Sequence, residues 1–375
     1  MTSQLMNRLQ TELKQLESAG LQRRLSVNTL IDFTSNDYLG LAGSRELYDT
    51  IANQAHAFKT RFNGATGSRL LSGNSELAEE VESQLAKAFH AESALLFNSG
   101  YTANLGVLSS LAHRNDTIIY DEYAHASIKD GARLSLARRL SFRHNDLEDL
   151  ENKLKHVAGQ AFIVVESIYS MDGDRCPLIE LVALAEKANA TIILDEAHST
   201  GVEGENGGGT AISLGLQNKI GVRIHTFGKA MGCHGACVVG PQVLKQYLIN
   251  TSRPFIYTTA LPPHALITLS CAFKYLGNHS ELILDLNKNI QCFTEAMTES
   301  PSFVSTGTAI QRVVIPGNER VTQAAATLRG KGFDIRPIRR PTVPAGGERI
   351  RICLHAFNRE EDIKALAREI NKVEY

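Results

Sequence analysis

The sequence predicts an α/β fold: a three-layer large domain on a mostly parallel sheet, and a small α+β domain at its C-terminal end. From Ala94 to about Val239, short β-branched runs alternate with helical stretches. Strands separated by helices need crossover connections, and sheets built in this way are covered by helices on both faces. Beyond about residue 300 the order changes to βαββα. The 375 residues also exceed one average core, so two domains are expected.

Residues 1–45 are predicted to form an N-terminal helix and a lead-in to the large domain. Apolar side chains recur there at helical spacing, at Leu5, Leu9, Leu13 and Leu16. The run from Ile31 to Thr34 then predicts a short strand that enters a polar turn. Because this segment lacks the apolar region and cleavage site of a signal peptide, we expect a cytoplasmic protein.

Residues 46–265 are predicted to form the large domain. A glycine-rich loop, residues 63–74, precedes a helix that starts at Ser75. The strands of the sheet are predicted at Ala94–Phe97, Thr117–Tyr120, Phe162–Glu166, Thr191–Leu194, Ile224–Phe227 and Ala236–Val239.

Residues 266–375 are predicted to form the small domain, which follows a long helical stretch from about His264 to Glu299. Its elements are predicted as strand Ile310–Ile315, a helix near Val321–Lys331, strand Phe333–Ile338, strand Arg349–Leu354 and helix Glu360–Val373.

Composition excludes several classes of function. The formal net charge is −1 and the charges are interspersed, so neither nucleic acid nor a membrane surface is an expected partner. The apolar runs are far shorter than the roughly 20 residues that span a bilayer. Six scattered cysteines without CxxC pairs argue against a disulfide framework and against a metal site.

The chemistry is predicted around an aspartate, a histidine and a lysine. Asp195 ends an apolar strand, His198 follows three residues later, and Lys229 lies in a small-residue loop after another strand. Open α/β sheets bind ligands at the carboxyl ends of their strands. Pyridoxal phosphate (PLP) needs a lysine for its Schiff base and an aspartate for its pyridine nitrogen. The alternatives are a solvated loop lysine and an aspartate that caps a helix.

Further candidates follow other predicted strands. Ser99, Gly100 and Tyr101 open a helix, where free N–H groups and the helix dipole bind phosphate; a plain helix cap explains them equally well. His125 is placed to stack on a flat ring, with a core or surface filler as the alternative. Ser170 is either a cofactor contact or a turn-forming serine.

Arg351 alternates with apolar residues on a strand of the predicted small domain. The planar fork of an arginine suits a carboxylate, so a substrate carboxylate is one expected partner and a surface salt bridge is the other.

With these residues assembled, the chain resembles the α-oxoamine synthases, fold-type I PLP enzymes with an aspartate aminotransferase-like fold. The motifs that carry the resemblance are Thr34–Leu41, Gly67–Gly73, Asp195–Gly201, Thr226–Lys229 and Pro341–Gly346. The resemblance extends over nearly the whole length of the chain, and the motifs together are highly specific for the superfamily.

The resemblance implies roles for individual residues. Lys229 is expected to carry PLP, Asp195 to pair with its ring nitrogen and His125 to stack on the ring, so these three would be the catalytic residues. The other expected cofactor contacts are Ser99, Gly100, Tyr101, Ser170, His198, Thr226 and Thr258, with Thr258 reaching the neighbouring subunit's cofactor. The expected substrate contacts are Arg23, Asn36, His125, Thr342 and Arg351.

The resemblance also implies the reaction and the partners. An amino acid would condense with an acyl thioester of CoA or acyl carrier protein and lose CO2, in a homodimer with active sites at the subunit interface. The sequence is most similar to members that use L-alanine and a pimeloyl thioester in biotin synthesis. Glycine C-acetyltransferase, 5-aminolevulinate synthase and serine palmitoyltransferase types are alternatives, as is a non-catalytic subunit that keeps only the fold.

Overall fold

A computed structural model describes residues 3–23, 25, 27, 29–58 and 63–373. Its twelve described strands are β1 Ile31–Asp32, β2 Ser93–Phe97, β3 Thr117–Asp121, β4 Arg138–Phe142, β5 Ala161–Glu166, β6 Thr191–Asp195, β7 Val222–Thr226, β8 Ala236–Gly240, β9 Ile310–Val314, β10 Phe333–Asp334, β11 Arg336–Ile338 and β12 Arg349–Cys353.

The described α-helices are α1 Ser3–Ser18, α2 Arg45–Ala57, α3 Glu76–Ala88, α4 Gly100–Leu111, α5 Ala126–Leu134, α6 Leu147–Leu154, α7 Leu178–Lys187, α8 Thr210–Ser213, α9 Gln242–Thr251, α10 Arg253–Ile256, α11 Pro263–Asn278, α12 Glu281–Ala296, α13 Asn318–Gly330 and α14 Glu360–Asn371. Within the described residues, every helix falls short of the length and apolar character that a membrane span requires.

The central sheet has seven strands in the order β2-β8-β7-β6-β5-β3-β4. Strands β4, β3, β5, β6 and β7 run parallel, and β8 is antiparallel to both of its neighbours. Strands β2, β5 and β8 are buried along their whole length, as expected for a sheet covered on both faces. The predicted three-layer α/β fold with a mostly parallel sheet is confirmed.

A second, antiparallel sheet has the order β11-β12-β9. Beside it, β1 pairs in parallel with β10, so the lead-in segment joins the C-terminal region through the register Ile31 to Phe333. The large apolar cluster that contains Phe33 and Tyr38 also includes residues of α11, α13, β12 and α14. The division into domains at residues 46–265 and 266–375 stays a prediction.

The structure differs from the predicted elements in three places. The helical stretch from His264 to Glu299 is two helices, α11 and α12, because the chain leaves the helical conformation at His279. The predicted strand Phe333–Ile338 is split into β10 and β11, which pair with different partners. Strand β4 escaped prediction because it is largely exposed and contains three polar residues, Arg138, Arg139 and Ser141.

Candidate active site

Four parallel strands end at the same edge of the central sheet, and each is followed within four residues by a predicted site residue. Strand β3 leads to His125, β5 to Ser170, β6 to His198 and β7 to Lys229. The parallel pairing of these strands gives them a common direction, so the four loops lie side by side. The site is therefore built at the carboxyl edge of the sheet.

Lys229 and His198 are in direct contact. The Lys229 Nζ atom lies 2.8 Å from Nε2 of His198, on the turn that follows β7. On the far side of the ring, Nδ1 of His198 lies 2.7 Å from the hydroxyl of Tyr38. Both His198 and Tyr38 are buried. The partner of the lysine is thus an imidazole, and the alternative of a solvated loop lysine does not describe it.

The protonation of this pair follows from its surroundings. Burial lowers the pKa of Lys229 to about 8, although the charges of Asp195 and Glu166 oppose the change. Burial, together with the nearby Lys229 charge, lowers the pKa of His198 well below its usual range. A neutral amine is the nucleophile that a carbonyl compound needs, so the site favours covalent chemistry at Lys229 near neutral pH.

Asp195 is held by two donors at the end of β6. Its Oδ1 accepts the backbone N–H of Ala197 at 2.9 Å, and its Oδ2 accepts from Asn104 Nδ2 at 2.7 Å. The first contact has the geometry of a local turn, but no described helix begins at this point. The carboxylate is buried, and Asn104 of α4 fixes its orientation.

His125 is the residue before α5, and its ring is fixed by Ser127. Its Nδ1 accepts the backbone N–H of Ser127 at 3.2 Å and lies 2.8 Å from the hydroxyl of Ser127. Asn104 Nδ2 donates to that same hydroxyl at 3.1 Å. Asn104 thus contacts both Asp195 and the group that orients His125. Burial lowers the pKa of His125, which favours a neutral ring.

Glu166 is a buried carboxylate beside Asp195, because the two residues are opposite each other in the register of β5 and β6. Its Oε1 accepts the backbone N–H of His125 at 2.6 Å. Burial and the charge of Asp195 raise the pKa of Glu166 to about 8. The raised pKa favours a protonated Glu166 near neutral pH.

The N-terminus of α4 closes another side of the site. Ser99 caps this helix, since its hydroxyl accepts the backbone N–H of Thr102 at 3.2 Å. A Cβ on Gly100 would lie 2.1 Å from Oγ1 of Thr226, so the end of β7 approaches this glycine closely. Tyr101 is exposed, and its hydroxyl donates to Asp130. The helix cap is present, and it also presents N–H groups beside the Thr226 hydroxyl.

Arg351 reaches the site from β12. Its Nε donates to the backbone carbonyl of Ser170 at 2.7 Å, its Nη2 to Oδ1 of Asn36 at 2.9 Å, and its Nη1 to Sγ of Cys353 at 2.9 Å. None of these partners is a carboxylate, so the salt-bridge alternative does not describe it. The guanidinium keeps a charge that a ligand carboxylate can neutralise.

Thr342 lies on a cavity of about 340 Å³ next to the site. His125, Ser170 and Lys129 line the same cavity, as does Arg349, which pairs with Asp172. The structure thus brings a predicted substrate contact together with two predicted cofactor contacts.

Arg23 and Thr258 are placed differently from the other candidates. Arg23 is exposed, and none of the site contacts described above involves it. The Thr258 hydroxyl accepts from Asn98 Nδ2 at 3.4 Å, close to the N-terminus of α4. The predicted contact of Thr258 with a neighbouring subunit concerns a second chain, so it stays a prediction.

Sequence reasoning missed Tyr38, Asn104 and Glu166. Each had a signal: Glu166 ends a buried strand, and Asn104 lies one helical turn after Gly100 on an otherwise apolar stretch. Tyr38 lies in the motif Thr34–Leu41, but its partner is 160 residues away in the chain. A contact of that range has no periodic pattern that would reveal it.

Comparisons with known proteins agree with this geometry. The aminotransferase class I and II family model matches residues 28–370. An 8-amino-7-oxononanoate synthase of Lysinibacillus sphaericus is 38% identical over 383 residues, which cover 98% of each chain. One from Emericella nidulans is 38% identical over 404 residues, covering 98% of this chain and 95% of that protein.

Two solved structures have the same fold. A serine palmitoyltransferase from S. paucimobilis with bound PLP and myriocin superposes with a TM-score of 0.89 at 28% identity, covering 99% of this chain and 97% of that one. The 8-amino-7-oxononanoate synthase from Francisella tularensis gives a TM-score of 0.79 at 30% identity, with coverage of 92% and 97%.

Proposed function

The chain belongs to the aminotransferase class I and II family, and we propose that it is a PLP-dependent acyltransferase of the α-oxoamine synthase group. Its reaction is the condensation of L-alanine with pimeloyl-CoA or pimeloyl-acyl carrier protein, which gives 8-amino-7-oxononanoate, CO2 and the free thiol in biotin synthesis. Relatives named for this activity match almost the whole chain at 38% identity. The observation that carries the proposal is the contact of Lys229 with His198 beside Asp195.

The residues at the sheet edge fit PLP. A half-buried lysine with a lowered pKa suits the aldehyde, and the Asp195 carboxylate suits a protonated ring nitrogen. The N-terminus of α4 and the Thr226 hydroxyl suit the phosphate. Oδ1 of Asn104, which is buried among these groups, has no hydrogen-bond partner among the described residues.

When bound, PLP withdraws electrons from the α-carbon of an attached amino acid, which makes its proton acidic and stabilises the resulting carbanion. The protein supplies the rest. The Asp195 carboxylate would hold the ring nitrogen, and the Nζ of Lys229 would accept the α-proton of the amino acid. His125, Ser170 and His198 would contact the bound cofactor, because all three lie on loops at the carboxyl edge of the sheet.

The substrates are recognised by the groups between β12 and the cavity. Arg351 and Asn36 bind the amino acid carboxylate, since the guanidinium lacks an acidic partner in the described chain. Thr342 and the cavity of about 340 Å³ receive the acyl donor. Arg23 is proposed as a further contact of the acyl donor, and this proposal rests only on the resemblance to the α-oxoamine synthases.

We propose that the enzyme is a homodimer in the cytoplasm, with active sites at the subunit interface. The exposure of helix α1 supports the proposal of a dimer. The helix has 16 residues and buries none of them, and its leucine face is exposed in the single chain. Six free cysteines agree with a reducing compartment.

The other α-oxoamine synthase activities are the alternative, because a serine palmitoyltransferase has the higher TM-score of the two structures. A non-catalytic subunit would not need a lysine that contacts a buried histidine, whereas Lys229 is present and contacts His198. The two alternatives therefore differ in whether the purified protein has any catalytic activity.

The test is a substrate panel with free thiol release as the readout. L-alanine, glycine and L-serine are each combined with acetyl-CoA, pimeloyl-CoA and palmitoyl-CoA, and Lys229→Ala is the control. We expect thiol release with L-alanine and pimeloyl-CoA only, and none from the control. Turnover with glycine or serine, but not with alanine, would reassign the substrate within the family. Absence of turnover and of PLP binding would support the non-catalytic subunit.

A further inference from the structure

We propose that Tyr38 is a positioning residue: with Asn36 it sets the tautomer of His198 and thereby links the carboxylate-binding Arg351 to Lys229. The residues form one continuous chain of hydrogen bonds, from Arg351 through Asn36, Tyr38 and His198 to Lys229. We call this chain the tautomer relay.

The direction of the relay can be worked out from its fixed end. A guanidinium can only donate, so the atom of Asn36 at 2.9 Å from Nη2 of Arg351 must be its carbonyl oxygen, Oδ1. That same Oδ1 lies 3.1 Å from the hydroxyl of Tyr38. An amide oxygen cannot donate, so the Tyr38 proton points to Asn36.

The remaining links follow from this assignment. With its proton engaged at Asn36, the Tyr38 hydroxyl can only accept from His198, so Nδ1 of His198 carries the proton. Nε2 then has a free lone pair, and it accepts from the amine of Lys229 at 2.8 Å. The neutral state of the ring agrees with this, because burial lowers the pKa of His198.

Burial allows the tautomer relay to favour one tautomer of His198. Tyr38 is 0% exposed, and its hydroxyl is the partner that the structure gives to Nδ1 of His198. An unmet buried donor costs about 1–3 kcal/mol, which is enough to favour one tautomer over the other. The phenol can also reverse its role towards Nδ1 of His198, because a tyrosine hydroxyl both donates and accepts.

The reversal connects the two ends of the site. If Arg351 turns to a substrate carboxylate, Oδ1 of Asn36 loses its fixed orientation, and the Tyr38 proton is free to turn to Nδ1 of His198. The ring proton then resides on Nε2, facing Lys229 or a ligand oxygen in its place. Occupation of the carboxylate site thereby changes His198 from an acceptor into a donor.

The test uses Tyr38→Phe in the full chain, with ¹⁵N-labelled histidine followed by NMR in the absence of PLP. The His198 signals are assigned by their loss in His198→Gln. We expect the Nδ1–H pattern in the wild-type protein and its loss in Tyr38→Phe. PLP affinity, measured separately by absorbance, is expected to fall about three- to tenfold, the value of one net hydrogen bond.

Tyr247→Phe is the matched control. This tyrosine also makes a hydrogen-bonding contact with a histidine, at 3.2 Å from Nε2 of His113, but it lies on α9 outside the site. We expect it to leave both the His198 signals and the PLP affinity unchanged. A Tyr38→Phe protein whose His198 signals match the wild type would overturn the proposal.

A second variant covers the case in which Tyr38→Phe fails to fold. Asn36→Ala removes the acceptor of the Tyr38 proton but keeps the phenol, so the Tyr38 hydroxyl turns to Nδ1 of His198. The expected result is the opposite tautomer, with the proton on Nε2, and retention of the Nδ1–H pattern would contradict the relay.

The NMR readout is independent of the proposed function, on which only the affinity readout rests. A wild-type protein that fails to bind PLP would therefore refute that function, and the tautomer result would still decide the inference.

Discussion

At the scale of single residues, Asp195, Glu166 and Lys229 share a small buried volume, and their charges depend on one another. Glu166 and Lys229 both have pKa values moved to about 8, by burial in each case. Asp195 keeps two hydrogen-bond donors. The arrangement places a hydrogen-bonded carboxylate near an amine that can lose its proton near neutral pH.

The pKa of Lys229 leads to a prediction on the rate of PLP attachment. Only the neutral amine attacks the aldehyde, so the rate should rise with pH and level off, with a midpoint of about 8. Stopped-flow absorbance between pH 6.5 and 9.5 measures it. A midpoint near 10.5, the ordinary value for lysine, would show that burial does not act on this amine.

Arg351 leads to a prediction on substrate affinity. Lysine keeps the charge but loses the planar fork, so Arg351→Lys should raise the KM for L-alanine by about tenfold and change the KM for the acyl thioester little. Steady-state kinetics on both substrates measure the effect. Arg368→Lys, an exposed arginine of α14, serves as the control. Equal changes in both KM values would argue against a carboxylate contact.

At the scale of elements, two close contacts between segments shape the site. The first joins the N-terminus of α4 to the end of β7, where Gly100 meets Thr226. The second joins the end of β3 to the loops after β4 and β5. There, His144 lies between Asp121 and Asp174, with Nδ1 at 2.9 Å from Asp121 Oδ1 and Nε2 at 2.7 Å from Asp174 Oδ2.

The first contact predicts that Gly100→Ala is harmful. The new Cβ would lie 2.1 Å from Oγ1 of Thr226, so α4 or β7 must shift. We expect a loss of about 1–3 kcal/mol in the free energy of unfolding, and weaker PLP binding. The double variant Gly100→Ala/Thr226→Ala should recover part of the stability. Gly277→Ala, where the Cβ meets nothing within 4 Å, is the control in denaturant titrations.

The second contact predicts a pH-dependent stability. Burial alone favours a neutral ring, but the hydrogen bonds to Asp121 and Asp174 outweigh it and raise the pKa of His144 to about 9. The folded state therefore binds the proton more tightly than the unfolded chain. Its stabilisation, on the order of 1–3 kcal/mol, is fully present below about pH 6.5 and is lost as the pH rises through 9.

Chemical denaturation from pH 6 to 9.5 tests the predicted pH dependence of the stability. The stability difference between the wild type and His144→Gln should shrink as the pH rises. His56→Gln, at an exposed position of α2, should show no such trend. A constant difference for His144→Gln would mean that the ring is neutral throughout the range.

The elements also show what the sequence can predict. The six predicted strands of the central sheet are all present, because strands that are buried in a sheet covered on both faces are mostly apolar runs. The exposed strand β4 lacks that signal. Asp195, His198 and Lys229 could be found because each follows such a run. Tyr38 could not, because its partnership with His198 depends on how β1 and the following turn pack against the sheet.

At the scale of the whole molecule, the proposed homodimer predicts that Thr258 acts in the partner's site. Lys229→Ala and Thr258→Ala are then defective for different reasons. A mixed dimer contains one chain of each variant. One of its sites then combines Lys229→Ala of one chain with Thr258→Ala of the other, and the second site combines the intact Lys229 with the intact Thr258. Co-refolding equal amounts should recover about a quarter of the wild-type activity, since half of the dimers are mixed and each has one intact site.

No recovery on mixing would mean that Thr258 serves its own chain, as its contact with Asn98 near α4 would allow. Sedimentation of the wild-type protein provides the control. The expected mass is twice the 41.0 kDa of one chain.

The most direct test of the central claim is the covalent position of PLP. The purified protein is incubated with PLP, reduced with borohydride, digested and analysed by mass spectrometry. We expect one modified peptide, with the added mass on Lys229, and its absence in Lys229→Ala. Modification of another lysine, or none at all, would contradict the assignment of the site at the carboxyl edge of the sheet.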